Sequence, residues 1–164
     1  MNEFKLGNIV RDVITGFTGT AFNKTEFLNG NVQYNIQPKG ENNSYPDCIS
    51  VDFHTLEFVE EGCADKVPKQ SKDLDIPLGS EVEDITSGVK GIVTIKTFYL
   101  NGCISYLVNI KETMIKPAVE CWVDQHKLKV IGKGITQTYN KPEKNSDGVT
   151  TGGASVRNMF GKRV

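Results

Sequence analysis

The sequence predicts an all-β protein: two tandem small five-stranded barrels followed by an extended C-terminal arm. Three observations predict it. The 164-residue chain repeats itself at an offset of 72 positions, and each copy carries apolar–polar alternation beside glycine-bearing turns. From about residue 133 the composition then turns polar and basic. Period-two alternation marks a strand with one face on a core. A repeat has to be recognised before any fold is assigned.

The repeat aligns residues 6–62 with 78–134 without a gap, at 18 identities in 57 positions. Unrelated pairing at about 6% per position gives three or four. Leu6-Gly7, Val10, Asp12, Gly16 and Gly19 fall on Leu78-Gly79, Val82, Asp84, Gly88 and Gly91. Lys24-Thr25 and Leu28-Asn29-Gly30 fall on Lys96-Thr97 and Leu100-Asn101-Gly102. Tyr34 meets Tyr106, and Val51-Asp52-x-His54-x-Leu56 meets Val123-Asp124-x-His126-x-Leu128.

Within each copy the apolar residues Val32, Tyr34 and Ile36, or Ile104, Tyr106 and Val108, alternate with polar ones. The Asn-Gly pairs upstream tolerate the positive φ angles of a tight hairpin turn. Hairpins are therefore expected between 20–28 and 31–38 and between 92–100 and 103–110. Gly16 and Gly88 follow Thr15 and Ser87, which is further turn chemistry. A fourth strand is expected near 48–54 and 120–126, and a fifth near 56–59 and 128–131. Pro38 closes the third strand of the first copy, because it has no N–H for a ladder. Barrel closure would remove the sheet edges. A unit this small buries only about 60% of its unfolded surface, so two should gain by packing together. The expected divisions are 1–62 for the first barrel, 63–76 for a linker, 77–134 for the second barrel and 135–164 for the arm.

Composition narrows the function classes. Apolar residues at 38% suffice for a core and are too many for wholesale disorder. No run approaches 18 apolar residues, so no membrane span is expected, and Met1–Lys5 carries no apolar signal core. Residues 133–164 hold six Lys/Arg against two Asp/Glu, a net of +4, which leaves −5 on the first 132 residues of a chain whose total is −1. That acidic body argues against nucleic acid as the main partner. The arm is too polar to offset its own ordering entropy, so it is expected to order on an assembly partner. Val156, Arg157, Met159, Phe160, Lys162 and Arg163 are the candidate partner-binding residues, with Met159-Phe160 as the apolar anchor.

No catalytic, cofactor or metal site is expected. Cys48, Cys63, Cys103 and Cys121 form no C-x-x-C pair and are read as reduced, buried or half-buried thiols. The two Asp-x-His pairs, Asp52/His54 and Asp124/His126, should share a strand face. A carboxylate-oriented histidine could act as a base or ligand, but too few ligands and no nucleophile motif accompany it. A hydrogen bond closing the barrel or capping a turn is the expected role. Asp12 and Asp84 are expected to accept hydrogen bonds from the turns at Gly16, Gly19, Gly88 and Gly91. Lys24 and Lys96 are expected on solvated strand faces, with phosphate contact as the alternative. Trp122, Phe53, Phe58 and Tyr99 are expected to fill or rim the barrels.

Two resemblances add to this reading. Gly7–Ala21 and Gly79–Val93, each a G-x-x-V strand and a glycine-spaced loop, resemble the KOW-type turn of small SH3-like five-stranded barrels. At the level of the whole repeat, the order LG-x-x-V-x-D, G-x-x-G, LNG and VD-x-H-x-L is similar to small uncharacterised proteins of tailed bacteriophages. Those end in a polar Thr-Gly-Gly tail with basic residues, as at Thr151-Gly152-Gly153 and Gly161-Lys162-Arg163 here. This chain departs by carrying two units and by having Asn31 where the second copy has Cys103. The likeness implies phage origin and barrel fold, and it supplies no catalytic residue. The expected role is a non-enzymatic virion structural or accessory protein, a capsid decoration or head or tail component. Its expected partners are other virion proteins, with further copies of itself as the second option, and assembly is expected in the host cytoplasm. The alternative is an intracellular phage binding module for host takeover or anti-defence, taking a protein, nucleotide or nucleic acid.

Overall fold

The computed structural model of the chain describes residues 3–68, 75–110 and 119–135. The arm from residue 136 onward, with all six candidate partner-binding residues, lies outside them, as does 69–74 of the expected linker. Ten strands form in chain order: β1 (Ile9–Asp12), β2 (Thr18–Phe27), β3 (Val32–Gln37), β4 (Ile49–Asp52), β5 (Leu56–Glu60), β6 (Glu81–Asp84), β7 (Lys90–Tyr99), β8 (Ile104–Ile110), β9 (Val119–Asp124) and β10 (Leu128–Gly132). The only other regular elements among the described residues are short 3-10 turns, so the protein is all-β.

All ten strands belong to one open antiparallel sheet. In the first unit the hydrogen-bonded order is β5-β1-β2-β3-β4, and in the second β10-β6-β7-β8-β9. The terminal strands of each unit are not hydrogen-bonded to each other, so the expected closed ladder is absent among the described residues. Each unit keeps its own core. Val10, Ala21, Tyr34, Ile36, Val51 and Leu56 fill the first, and Ile76, Val82, Val93, Ile104, Tyr106, Val108 and Val123 the second. Burying one such aliphatic side chain contributes roughly 1.5–3 kcal/mol. Ile76, at the end of the expected linker, belongs to the second core.

The units join edge to edge through β2 and β7, where the residue numbers of each facing pair add to 122: Asn23 with Tyr99, Lys24 with Phe98, Thr25 with Thr97. Exchanging the units maps this ladder onto itself. A pseudo-two-fold axis therefore passes between Thr25 and Thr97, whose hydroxyls share a hydrogen bond of 3.1 Å. Leu28 N–H donates to Thr94 C=O, and its counterpart Leu100 N–H donates to Phe22 C=O, at 2.8 and 2.9 Å. The repeat is thus an ordered property of the backbone.

Two local devices carry the shape. Gly19 and Gly91 stand where an added Cβ would come within 2.5 Å of Gln37 C and 2.6 Å of Asn109 O, so β2 can approach β3, and β7 approach β8, this closely only at glycine. In the hairpins, only the glycine takes positive φ, +85° at both Gly30 and Gly102. The expectation that both Asn-Gly residues do so is corrected. Asn29 and Asn101 instead accept the N–H of Asn31 and Cys103 on their side chains, each at 3.0 Å.

Candidate functional site

The seam between the units has two faces, and each brings chemistry together. On the inner face, Lys24 faces Phe98 and Glu26 faces Lys96 across the β2–β7 ladder. Both lysines are buried, at 9% and 5% exposure, which corrects the expectation of solvated positions. The reason is a β-bulge in each long strand, between Ala21 and Asn23 and between Val93 and Ile95. A bulge adds one residue and reverses the alternation beyond it. Asn23 therefore turns outward, and Lys24 turns in beside Tyr34.

Each buried ammonium has acidic company from the same place in its unit. Lys24 pairs with Glu3 and with Glu26, the latter at 2.5 Å, and Lys96 pairs with Asp75, the counterpart of Glu3. Burial alone would lower Lys24, but hydrogen bonds and charge from Glu26 and Glu3 outweigh it and hold the ammonium above its ordinary value. Both ammoniums also lie near the Phe98 ring, 5.2 and 4.5 Å from its centroid. Next to each pair a core tyrosine binds the strand-entry segment. Tyr34 OH donates to Phe4 C=O at 3.0 Å, whereas Tyr106 OH accepts from Ile76 N–H at 3.2 Å. Burial first, then the nearby carboxylates, push both phenols above their ordinary range. These charges and the apolar Phe4, Leu6, Pro68 and Ile104 line a cleft of about 750 Å³.

On the outer face, the registers line up Phe27, Ile95, Leu107 and Trp122 side by side across β2, β7, β8 and β9. Residues paired in this way share one face of the sheet. The row ends at Trp122, which is 53% exposed, so of the two expected placements, filling or rimming the barrel, the filling one is excluded. Glu120 and Asp124 lie two residues to either side of Trp122 on the same strand and, by alternation, on the same face. The equivalent row of the first unit is Tyr99, Asn23, Asn35 and Ser50. It is polar, with Ser50 Oγ donating to Asn35 Oδ1 and with Asn23 Oδ1 buried without a partner among the described residues.

The remaining candidates are structural. Asp12 accepts from Thr15 Oγ1 at 2.6 Å, Thr15 N at 3.1 Å and Ile14 N at 3.4 Å. Asp84 does the same with Ser87 Oγ at 2.7 Å and Thr86 N at 2.9 Å. Hydroxyl donation from Thr15 and Ser87 is the main cause that lowers both carboxyls below their usual value. Gly16 and Gly88 complete these turns with φ of +74° and +71°.

The Asp-x-His expectation is corrected. Asp52 and Asp124 end β4 and β9, while His54 and His126 sit in the following 3-10 turns, off the strand and exposed. Asp52 accepts from Asn31 Nδ2 and Gln33 Nε2, and Asp124 from Ser105 Oγ. His54 meets the Phe53 ring edge-on at 5.6 Å. Phe53 packs on the first core, but Phe58 is half-exposed. All four cysteines are free, and only Cys63 is half-buried; Cys48, Cys103 and Cys121 are exposed, against expectation.

Among the described residues, no group of three or more His, Cys, Asp or Glu could hold a metal ion. None of their helices is long and apolar enough to cross a membrane. Sequence reasoning missed the seam charges and the outer row. Glu3 and Asp75 precede the first identity of the repeat and differ between copies, and the row exists only once the strands are in register. Comparison with protein-family models, curated proteins and solved structures finds no match to this chain.

Proposed function

We propose that this chain is a non-enzymatic structural or accessory protein of a bacteriophage virion, a capsid decoration or a head or tail component, which docks on other virion proteins. The observation that carries the docking reading is the contrast between the two outer rows. The strand pairing around the row is the same in both units, and the first unit folds with Asn23, Asn35 and Ser50 in positions where the second has Ile95, Leu107 and Trp122. The fold therefore does not require apolar residues there, and a half-exposed apolar row that ends in a 53% exposed indole, without a folding need, supports an interaction surface. The likeness of the repeat to small tailed-phage proteins supports the virion setting. Strand order, bulged long strands and the 3-10 turn between fourth and fifth strands support reading each unit as a small SH3-like or KOW-like barrel.

The test transplants the first unit's row into the second, as Leu107→Asn with Trp122→Ser. Purified virions are examined by quantitative mass spectrometry. The wild-type chain should be present at a fixed copy number, in the hundreds for a capsid lattice or about six or twelve for a neck or tail ring. The double variant should fold and be depleted from particles. Virions free of the chain, or undiminished incorporation of the folded variant, overturn the reading. A second reading, an intracellular phage binding module, is favoured by the cleft, whose size and position between units suit a small ligand. It requires the chain in infected cells and its absence from particles.

A further inference from the structure

The geometry points to the C-terminal arm of a second copy of this chain as the occupant of the Phe27–Ile95–Leu107–Trp122 row. This rests on the docking reading and names its partner. The face offers the exposed indole of Trp122, which is paired with the buried Leu107 and flanked along β9 by Glu120 and Asp124. The complement is an apolar pair flanked by cations. The sequence contains that pattern at Arg157-Asn158-Met159-Phe160-Gly161-Lys162-Arg163. Charge agrees at larger scale too, since residues 133–164 carry +4 and the first 132 carry −5. The first unit does not offer the same face. Its counterpart of Glu120 is Cys48 and its counterpart of Trp122 is Ser50, so it offers neither the indole nor the first carboxylate.

Length puts a neighbouring copy within the arm's reach. The described residues end at Ile135, whose N–H bonds Gly79 C=O at 2.7 Å. Met159 follows 24 residues later, a reach of up to about 80 Å at some 3.3 Å per residue. A body of this size has a radius of gyration of roughly 14 Å, so that reach exceeds the dimensions of the body itself. Arm and row are different surfaces, so the contact is head-to-tail and propagates as a ring or an open array.

The test is sedimentation of the full-length chain over a concentration series at low salt, with and without added sodium chloride. The wild type should self-associate, and salt should weaken the association. Leu107→Asn with Trp122→Ser, Met159→Ser with Phe160→Ser, and Glu120→Lys with Asp124→Lys should each weaken it about ten-fold or more. Mixing the Glu120→Lys, Asp124→Lys chain with an Arg157→Glu, Lys162→Glu, Arg163→Glu chain should restore hetero-association, a result that lost folding cannot mimic. Three outcomes overturn the proposal: a chain that stays monomeric throughout, association indifferent to the arm variants, or Trp122 fluorescence that responds to the arm in the monomer. None of these touches the docking reading, which falls only if the folded row variant enters virions undiminished.

Discussion

Tyr34 and Tyr106 occupy the same position in the two units and use their hydroxyls in opposite directions, so removing each hydroxyl makes a matched experiment. Tyr34→Phe takes a donor from the Phe4 carbonyl, a half-buried acceptor with a second lone pair and access to water. An ordinary hydrogen bond of this kind contributes about 0.5–1.5 kcal/mol net, and the lower half of that range is expected here. Tyr106→Phe takes the acceptor from the Ile76 N–H in a fully buried setting. An orphaned buried donor costs about 1–3 kcal/mol, and no second lone pair relieves it. For a chain of this size 1 kcal/mol shifts Tm by about 2–4 °C. Tyr106→Phe should therefore lower Tm by several degrees, and Tyr34→Phe by about one to four, the smaller of the two losses. The assay is thermal and urea unfolding of both single variants, with the urea slope confirming an unchanged unfolded state. Equal losses, or a larger loss from Tyr34→Phe, would refute the reasoning.

Two further predictions use the same internal comparison. Asn23→Ile, which copies Ile95 into the first unit, replaces a buried carbonyl oxygen lacking a partner with the residue its twin already accommodates. Stability should rise by about 1 kcal/mol or more in urea unfolding, and a fall would mean that the side chain has a partner of value there. Asp12 and Asp84 have carboxyls lowered from 3.8, so their ionised forms favour the folded state. Their contribution is full above the unfolded value and is lost as pH falls through the lower folded values. The Asp12→Asn, Asp84→Asn double variant should show a shallower loss of urea midpoint below about pH 4, and an unchanged acid limb would count against it.

Strand content, hairpin positions and the turn carboxylates were legible because they follow from nearest neighbours. Alternation through Tyr34 and Ile36 marks a half-buried strand, and an Asp three residues before Thr15 or Ser87 closes a turn wherever it lies. The burial of Lys24 and Lys96 was not legible. The bulge reverses the faces from Asn23 and Ile95 onward, and its place is defined only by pairing with the neighbouring strand, so no local pattern announces it. The misplacement of His54 and His126 has a similar cause, since the chain leaves the sheet at Asp52 and Asp124 into 3-10 turns.

The sequence by itself determined that one module occurs twice, that it is made of strands, and that a basic segment follows an acidic body, because identity, periodicity and charge are properties of the chain. The tertiary structure alone decided that the modules share one sheet about the Thr25–Thr97 axis, that two lysines are buried with their carboxylates, and that four apolar residues scattered from 27 to 122 form one row. Those are relations between distant residues, and only strand register brings them side by side.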